Sequence, residues 1–337
     1  MVTLYVATRD ALLVVDGGPG DWQPSTRLSE HALACLAVHP DQPRRLFCGT
    51  SDAGVLRSDD GGDTWSRVGE SVVDSGAVTA LATNPDDPKE VWVGTEPSAV
   101  YHSTDGGDVW TEKTGLTDLP SASSWSFPPR PETHHVRWIE VDPVDPSHLY
   151  VAVEAGALVQ THDRGETWEG RVDSSRIDTH SMATHPDVPG RAWAAAGDGY
   201  AETSDGGETW QYPQKGLSHR YCWSVVVDEA DPRTVLVSSA SGAYAAHTAS
   251  RAETYVYRKR EHAEGVQWER LDGRGLPTGD GVTRAVLAAG DTGGEFYAAN
   301  DQGLFHTTDS GDSWRRLSIE WPESFESEPI RGLVVVD

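Results

Sequence analysis

The sequence predicts an all-β fold, a single seven-bladed β-propeller of four-stranded antiparallel blades spanning residues 1–337. Three observations carry this expectation. An eight-residue box recurs along the chain at the spacing of a propeller blade. Each period repeats one order of short apolar strands and turns. The first period lacks its opening strand, and the last segment is a strand without a unit.

The box reads Ser/Thr-x-Asp-x-Gly-x-x-Trp. It stands without gaps at SDDGGDTW (58–65), STDGGDVW (103–110), THDRGETW (161–168), TSDGGETW (203–210) and TTDSGDSW (307–314). Its aspartates, Asp60, Asp105, Asp163, Asp205 and Asp309, lie 45, 58, 42 and 104 residues apart, and the last interval is twice 52. One unit in that interval has therefore lost its box. The chemistry is that of a hairpin turn: Asp accepts backbone N–H bonds, Gly takes a positive φ, and Trp wedges into the packing.

Taken in order, the first unit opens at LYVATR (4–9), a second strand with no first strand ahead of it. DGGPGDW (16–22) is its box stretched by one residue, one period of 44 before Asp60. The second unit turns at HPDQP (39–43). The third runs VTALAT (78–83), NPDDP (84–88) and VWVGT (91–95). The fourth turns at DPVDP (142–146) into LYVAV (149–153), and the fifth turns at HPDVP (185–189). The sixth carries VLVSS (235–239), and Trp268 in VQWERL takes the box tryptophan's place after an insertion around Arg251 to Glu264. The seventh ends on the fifth intact box. IRGLVVVD (330–337) then pairs with LYVATR, closing the ring as a split blade of 3–26 plus 330–336 and removing two free edges.

The box resembles the Asp-box, or BNR, repeat of sialidases, sortilin-type receptors, xyloglucanases and a seven-bladed photosystem II assembly factor. The resemblance covers nearly the whole chain and implies the propeller fold. It implies function weakly, because unrelated activities share this scaffold. Sialidases have six blades, an Arg-Ile/Leu-Pro element before the first box and a Tyr–Glu nucleophile pair. This chain has seven units, no such element before Asp60, and a tyrosine, Tyr221, with no glutamate assigned to it. Xyloglucanases set two propellers in tandem, and one is present here.

In a propeller the first strands line the axis, and the loops around them share one mouth. Aligning those strands on their trailing Asp/Pro turns places Ala34, Thr79, Arg137, His180, Trp223, Arg284 and Arg331 at one level, with Arg9 and Arg220 beside them. The expected ligand-binding set is Arg9, Arg137, His180, Arg220, Tyr221, Trp223, Arg284 and Arg331. Guanidinium groups converging on one axis bind carboxylate or phosphate through paired hydrogen bonds; alternatively they pair with acidic neighbours such as Asp10, Glu140 or Glu154. Asp10, Asp52, Glu96, Glu154, Asp198 and Asp301 reach the mouth too, with Glu30 and Asp178 nearby. Two of them could serve a glycosidase, or all could be solvated. His31, His134, His135, His180 and His219 enter first strands without a short metal-ligand spacing, so no metal and no cofactor is expected. The loops 114–134, with Trp125 and Phe127, and 318–329, with Trp321 and Phe325, either present aromatic tips to a ligand or pack down as lids.

Composition narrows the partners. The net charge is −26, which repels phosphate backbones and argues against nucleic acid. No stretch approaches the roughly 18 apolar residues of a membrane helix. Three cysteines, Cys35, Cys48 and Cys222, are too scattered for a disulfide framework and read as buried thiols. Arg9 and Asp10 interrupt the N-terminal apolar run, so a cytoplasmic monomer is expected. Only four basic residues are lysine, a surface like that of salt-adapted proteins or of acidic proteins from GC-rich genomes. The expected partner is an anionic small molecule or sugar, or a protein; the chain is read as a binding scaffold or as a carbohydrate-acting enzyme on an acidic sugar.

Overall fold

The structure, a computed structural model, describes residues 1–18, 20–70, 76–262, 265–326 and 328–336. Pro19 of the stretched box, residues 263–264 of the expected insertion, Ser327 and Asp337 lie outside the described residues.

Seven antiparallel sheets form, one per unit. Blade 1 orders Gly332–Val336, Val2–Ala7, Leu12–Gly18 and Asp21–Arg27, so the last strand of the chain pairs with the first. The register runs from Thr3 opposite Val336 to Ala7 opposite Gly332. Blades 2, 3 and 7 are four-stranded, whereas blades 4 and 5 keep three strands and reduce the fourth to single bridges, Gln160 to Glu169 and Glu202 to Gln211.

The second strand of each blade is buried on both faces. Leu46–Thr50, Leu149–Val153, Ala192–Ala196 and Phe296–Asn300 are buried at every position. Blades stack face to face, so these strands need continuous apolar runs rather than alternation. The core is accordingly divided into seven apolar clusters, each spanning two neighbouring blades. An open array of seven blades would have six such interfaces. The seventh, where Leu4 and Leu13 meet Tyr297 and Phe325, is the closure.

The boxes fold as expected of turns. Ser58 Oγ accepts from Gly62 N at 2.8 Å, and Asp60 accepts from Thr64 N at 2.9 Å. The same pair of bonds recurs at Asp105, Asp163, Asp205 and Asp309. The box glycines Gly62, Gly107, Gly165, Gly207 and Gly311 all have φ between 75° and 94°, which a side chain resists. Each box tryptophan packs toward the preceding blade, and Trp22 and Trp268 do the same in the two degenerate units. Trp110, Trp210 and Trp314 are buried, but Trp65 and Trp168 are only partly buried.

Two expectations need correction. Around the expected stretched box, residues 16–18 pair in an antiparallel ladder with residues 21–23, and Gly18 opposes Asp21. The sixth unit's extra residues lie earlier than expected. Glu253–His262 is a ladder strand of blade 6, and the insertion is a short helix, Ala243–His247, with the 3-10 turn Ala249–Arg251. Of the two alternatives for the long loops, packing down is the one found, since Trp125, Trp321 and Phe325 are buried in blade interfaces. Among the described residues no helix is long and apolar enough to cross a membrane, and the three cysteines are free thiols.

Candidate axial binding site

The axial strands share a local distortion at the level of the aligned residues. The ladder slips by one residue between Leu33 and Cys35, Val78 and Ala80, Val136 and Trp138, Thr179 and Ser181, and Cys222 and Ser224. Ala34, Thr79, Arg137, His180 and Trp223 are therefore the extra residues of β-bulges, which re-aim a side chain out of the ladder. In blades 7 and 1 the matching residues precede the strand. Arg284 N donates to Ala246 O at 3.0 Å, and Arg331 N to Ala7 O at 2.7 Å.

The same level stitches neighbouring blades together. Thr79 Oγ1 donates to Val136 O at 2.6 Å, His180 Nδ1 to Cys222 O at 2.7 Å, and Arg284 Nη1 to Ile330 O at 2.7 Å. In each case the acceptor carbonyl precedes the aligned residue of the next blade.

Trp223 is the centre of the site. The Arg284 guanidinium lies 3.7 Å and that of Arg137 4.7 Å from its ring centroid, within cation–π range. The His180 and His247 rings flank it at 4.5 and 4.4 Å. Arg284 is fully buried, yet no carboxylate lies within ion-pair distance among the described residues. Its Nε donates to His247 Nδ1 at 2.9 Å. Burial, then Arg331 and Arg137, push Arg284 well below the usual arginine range. A guanidinium does not release its proton near neutrality, so Arg284 stays charged in this buried position.

His247 must accept at Nδ1, which leaves its proton on Nε2, 3.0 Å from the Tyr221 hydroxyl. Burial, then Arg284, hold its pKa at about 2, consistent with a neutral ring. The Tyr221 oxygen thus receives a hydrogen bond, and its own proton is free to donate. Burial, then Glu154 and Asp178, push that phenol up.

The acidic groups lie beside Arg137 and His180. Glu154 Oε2 is 2.9 Å from His135 Nε2 and 3.6 Å from Arg137 Nε. Burial favours its neutral form, but the hydrogen bond from His135 and the Arg137 guanidinium outweigh this and hold Glu154 at about 2. Asp178 Oδ1 accepts from Ala155 N at 3.0 Å, and burial followed by Glu154 raises its pKa despite His180. His180 is held down chiefly by burial. Glu154, Asp178 and His180 place donor atoms within 4.8 Å of one another, the one such group among the described residues.

Arg137, His180, Tyr221, Trp223 and Arg284 are thus brought together. Arg331 is exposed to the channel, and desolvation, then Arg137, lowers its pKa; Arg9 contributes to the same shift. Neither Arg331 nor Arg9 has a carboxylate within ion-pair distance among the described residues. Arg220 stands apart: it is exposed, and its Nε reaches Leu217 O at 3.5 Å. Of the other carboxylates, Asp52 and Asp301 hold backbone N–H groups of Ala32 and Thr283, and Glu96 takes a bidentate bond from Arg130. These are loop braces. The sequence alignment missed His247, because it sits in an insertion with no counterpart in other units.

Comparison with known proteins agrees with this architecture. A sequence profile for the photosynthesis system II assembly factor YCF48 matches residues 20–221. No curated protein sequence matches the chain. Among solved structures, the chain is similar to YCF48 bound to D1 peptide, with TM-score 0.63 and 17% identity over 95% of this chain and 97% of that one. It is also similar to an ancestral GH74 enzyme, with TM-score 0.66, 15% identity and 87% of this chain covered. The GH74 xyloglucanase from Xanthomonas campestris matches with TM-score 0.65 and 15% identity over 98% of the chain. The chain spans 39% and 53% of the lengths of those two enzymes, and at such identities the likeness is one of fold. With the profile covering more than half of its residues, the chain belongs to the photosynthesis system II assembly factor YCF48 family.

Proposed function

We propose that residues 1–337 act as one propeller domain, a scaffold that captures a carboxylate-bearing segment of a protein partner at its axial mouth. The observation that carries this reading is the uncompensated charge of Arg284 and Arg331 beside Arg137, in a chain whose net charge is −26. Like charges gathered in a poorly hydrated funnel are costly, and a bound anion relieves that cost. Arg331, the exposed member, makes first contact; Tyr221 offers a hydroxyl donor. The D1 peptide bound by one YCF48 structure supports a peptide as the ligand class.

The test is calorimetric titration with short synthetic peptides that end in a free carboxylate or in an amide, run in chelator. The carboxylate form binds, the amide loses most of its affinity, and Arg331→Ala loses binding while keeping its melting temperature. Equal binding of the two forms, or no binding by the parent protein, sinks the reading.

A second reading, an enzyme acting on an acidic sugar, draws on one distance. The Glu154 and Asp178 oxygens lie within 4.8 Å, near the roughly 5 Å separation of retaining glycosidases. Release of nitrophenol from nitrophenyl glycosides of acidic sugars, lost in Glu154→Gln, would establish it; no release with any of them removes it.

A further inference from the structure

We propose that Glu154, Asp178 and His180 form a binding site for one divalent transition-metal ion, of the zinc or manganese class, beside the arginine cluster.

The argument starts from a tautomer. His180 Nδ1 lies 2.7 Å from the carbonyl oxygen of Cys222, so Nδ1 carries a proton and donates it. In the neutral ring Nε2 is then a bare lone pair. This nitrogen is fully buried and has no hydrogen-bond partner. It faces two carboxylate oxygens, Asp178 Oδ2 at 3.6 Å and Glu154 Oε1 at 3.9 Å. A lone pair directed at two anions is unfavourable unless a cation lies between them.

Each of the three groups is also anchored through its other atom. The backbone carbonyl of Cys222 holds the imidazole, His135 Nε2 binds Glu154 Oε2 at 2.9 Å, and Ala155 N binds Asp178 Oδ1 at 3.0 Å. Outer partners of this kind orient metal ligands and fix the histidine tautomer. They leave one donor atom of each residue within 4.8 Å of the other two.

The gaps fit an ion better than a proton. At 3.6 and 3.9 Å they are too long for hydrogen bonds. Two metal–ligand bonds of roughly 2.0–2.2 Å, opening at about 110–135°, separate their ligand atoms by roughly 3.3–4.1 Å. A protonated His180 bridging both carboxylates is the competing arrangement, and at these distances its Nε2 makes a hydrogen bond to neither of them.

Access is on the Asp178 side, whose side chain is 27% exposed while His180 is sealed. Room for that carboxylate depends on Gly197, where a Cβ would stand 1.9 Å from Asp178 Oδ2. One imidazole nitrogen with two carboxylate oxygens suits zinc or manganese, rather than copper(I), which prefers sulfur, or calcium, which prefers oxygen alone. Three protein ligands leave a coordination position open. Arg137 approaches Glu154 at Oε2, the oxygen not assigned to the ion.

The experiment strips the full chain with chelator and titrates zinc and then manganese by calorimetry, without peptide. Roughly 1 M salt, where the Debye length is about 3 Å, suppresses weak uptake by the acidic surface. One ion binds per chain. Asp178→Asn and His180→Gln abolish the stoichiometric phase, and His135→Ala weakens it about 10- to 100-fold. Because a His180 variant could fail to fold, cobalt(II) loaded into the parent protein is read by its visible absorption, which reports mixed nitrogen and oxygen ligation. Absence of a stoichiometric ion in the parent, or equal uptake by folded Asp178→Asn, overturns the site. The metal titration involves neither peptide nor Arg331, so its failure leaves the carboxylate-binding reading to its own test.

Discussion

Arg284 donates its Nε–H to Nδ1 of His247 across 2.9 Å, a contact that exists only while the imidazole is neutral. It joins the axial strand of blade 7 to the helix inserted in blade 6, and it supplies a buried guanidinium with an uncharged acceptor. Replacing His247 with Leu leaves that donor without its partner. The expected cost is about 1–3 kcal/mol, the usual range for an orphaned buried polar group. Urea unfolding of His247→Leu checks this. A loss indistinguishable from zero would show that the contact is incidental.

Ring closure is the second test. Truncation after Pro329 removes the strand Gly332–Val336 and the Ile330 carbonyl that accepts from Arg284. It also uncovers the edge of Val2–Ala7. Ile330, Leu333 and Val336 are all buried, and at about 1.5–3 kcal/mol per side chain their loss removes roughly 5 kcal/mol or more. Thermal denaturation of the truncated chain should fall by many degrees, and its transition should broaden. An unchanged melting temperature is incompatible with a closed ring.

The box tryptophans divide by burial. Trp110 is 4% exposed, and its Nε1 donates to Gly107 O at 2.8 Å, whereas Trp65 makes the same bond from a half-buried position. Trp110→Ala should cost about 3–5 kcal/mol, as for other large core truncations. Trp65→Ala should cost clearly less. Equal costs in chemical denaturation would mean that the turn bond, rather than packing, sets the contribution.

Glu140 makes stability depend on pH. Burial raises its pKa to about 7, against the pull of hydrogen bonds from Trp138 Nε1 and Thr184 Oγ1, and Asp142 raises it further. A carboxyl with a raised folded pKa binds its proton more tightly when folded. Its contribution is therefore fully present below the unfolded value of about 4.5 and is lost as pH rises toward 7, by at most about 3 kcal/mol. The difference in unfolding free energy between parent and Glu140→Gln should change across that window and level off on either side of it. Parallel pH profiles for the two proteins would refute the assignment.

Much of the architecture could be read before any coordinates. The box is a local device: its serine or threonine, aspartate and glycine satisfy one another within eight residues, so the pattern survives in sequence as it does in structure. The apolar runs of the second strands are legible for a related reason, since burial on both faces leaves no polar alternative. Trp22 and Trp268 were recognisable as box remnants because both still wedge against the preceding blade.

The axial site was legible only in part. Alignment on Asp/Pro turns found Arg137, His180, Trp223 and Arg284, because each bulge or strand start falls at a constant distance from its turn. Arg220 was grouped with them on chain proximity, but its side chain turns toward Leu217. His247 gave no signal, since an insertion has no period to align. For Trp125, Trp321 and Phe325 the sequence left loop tip and packed lid open, and only their burial between blades decides for packing.

The amino-acid sequence by itself determined the number of blades, the turns and the closing strand, all of which follow from local hydrogen bonding and from apolar runs of blade length. Only the tertiary structure decided which charges meet. The distance between Glu154 and His180, the tautomer of His247 and the isolation of Arg284 from carboxylates arise where strands from different blades converge on one axis. Side chains far apart in the chain become neighbours there through ring closure, and no local pattern records which atoms will face one another.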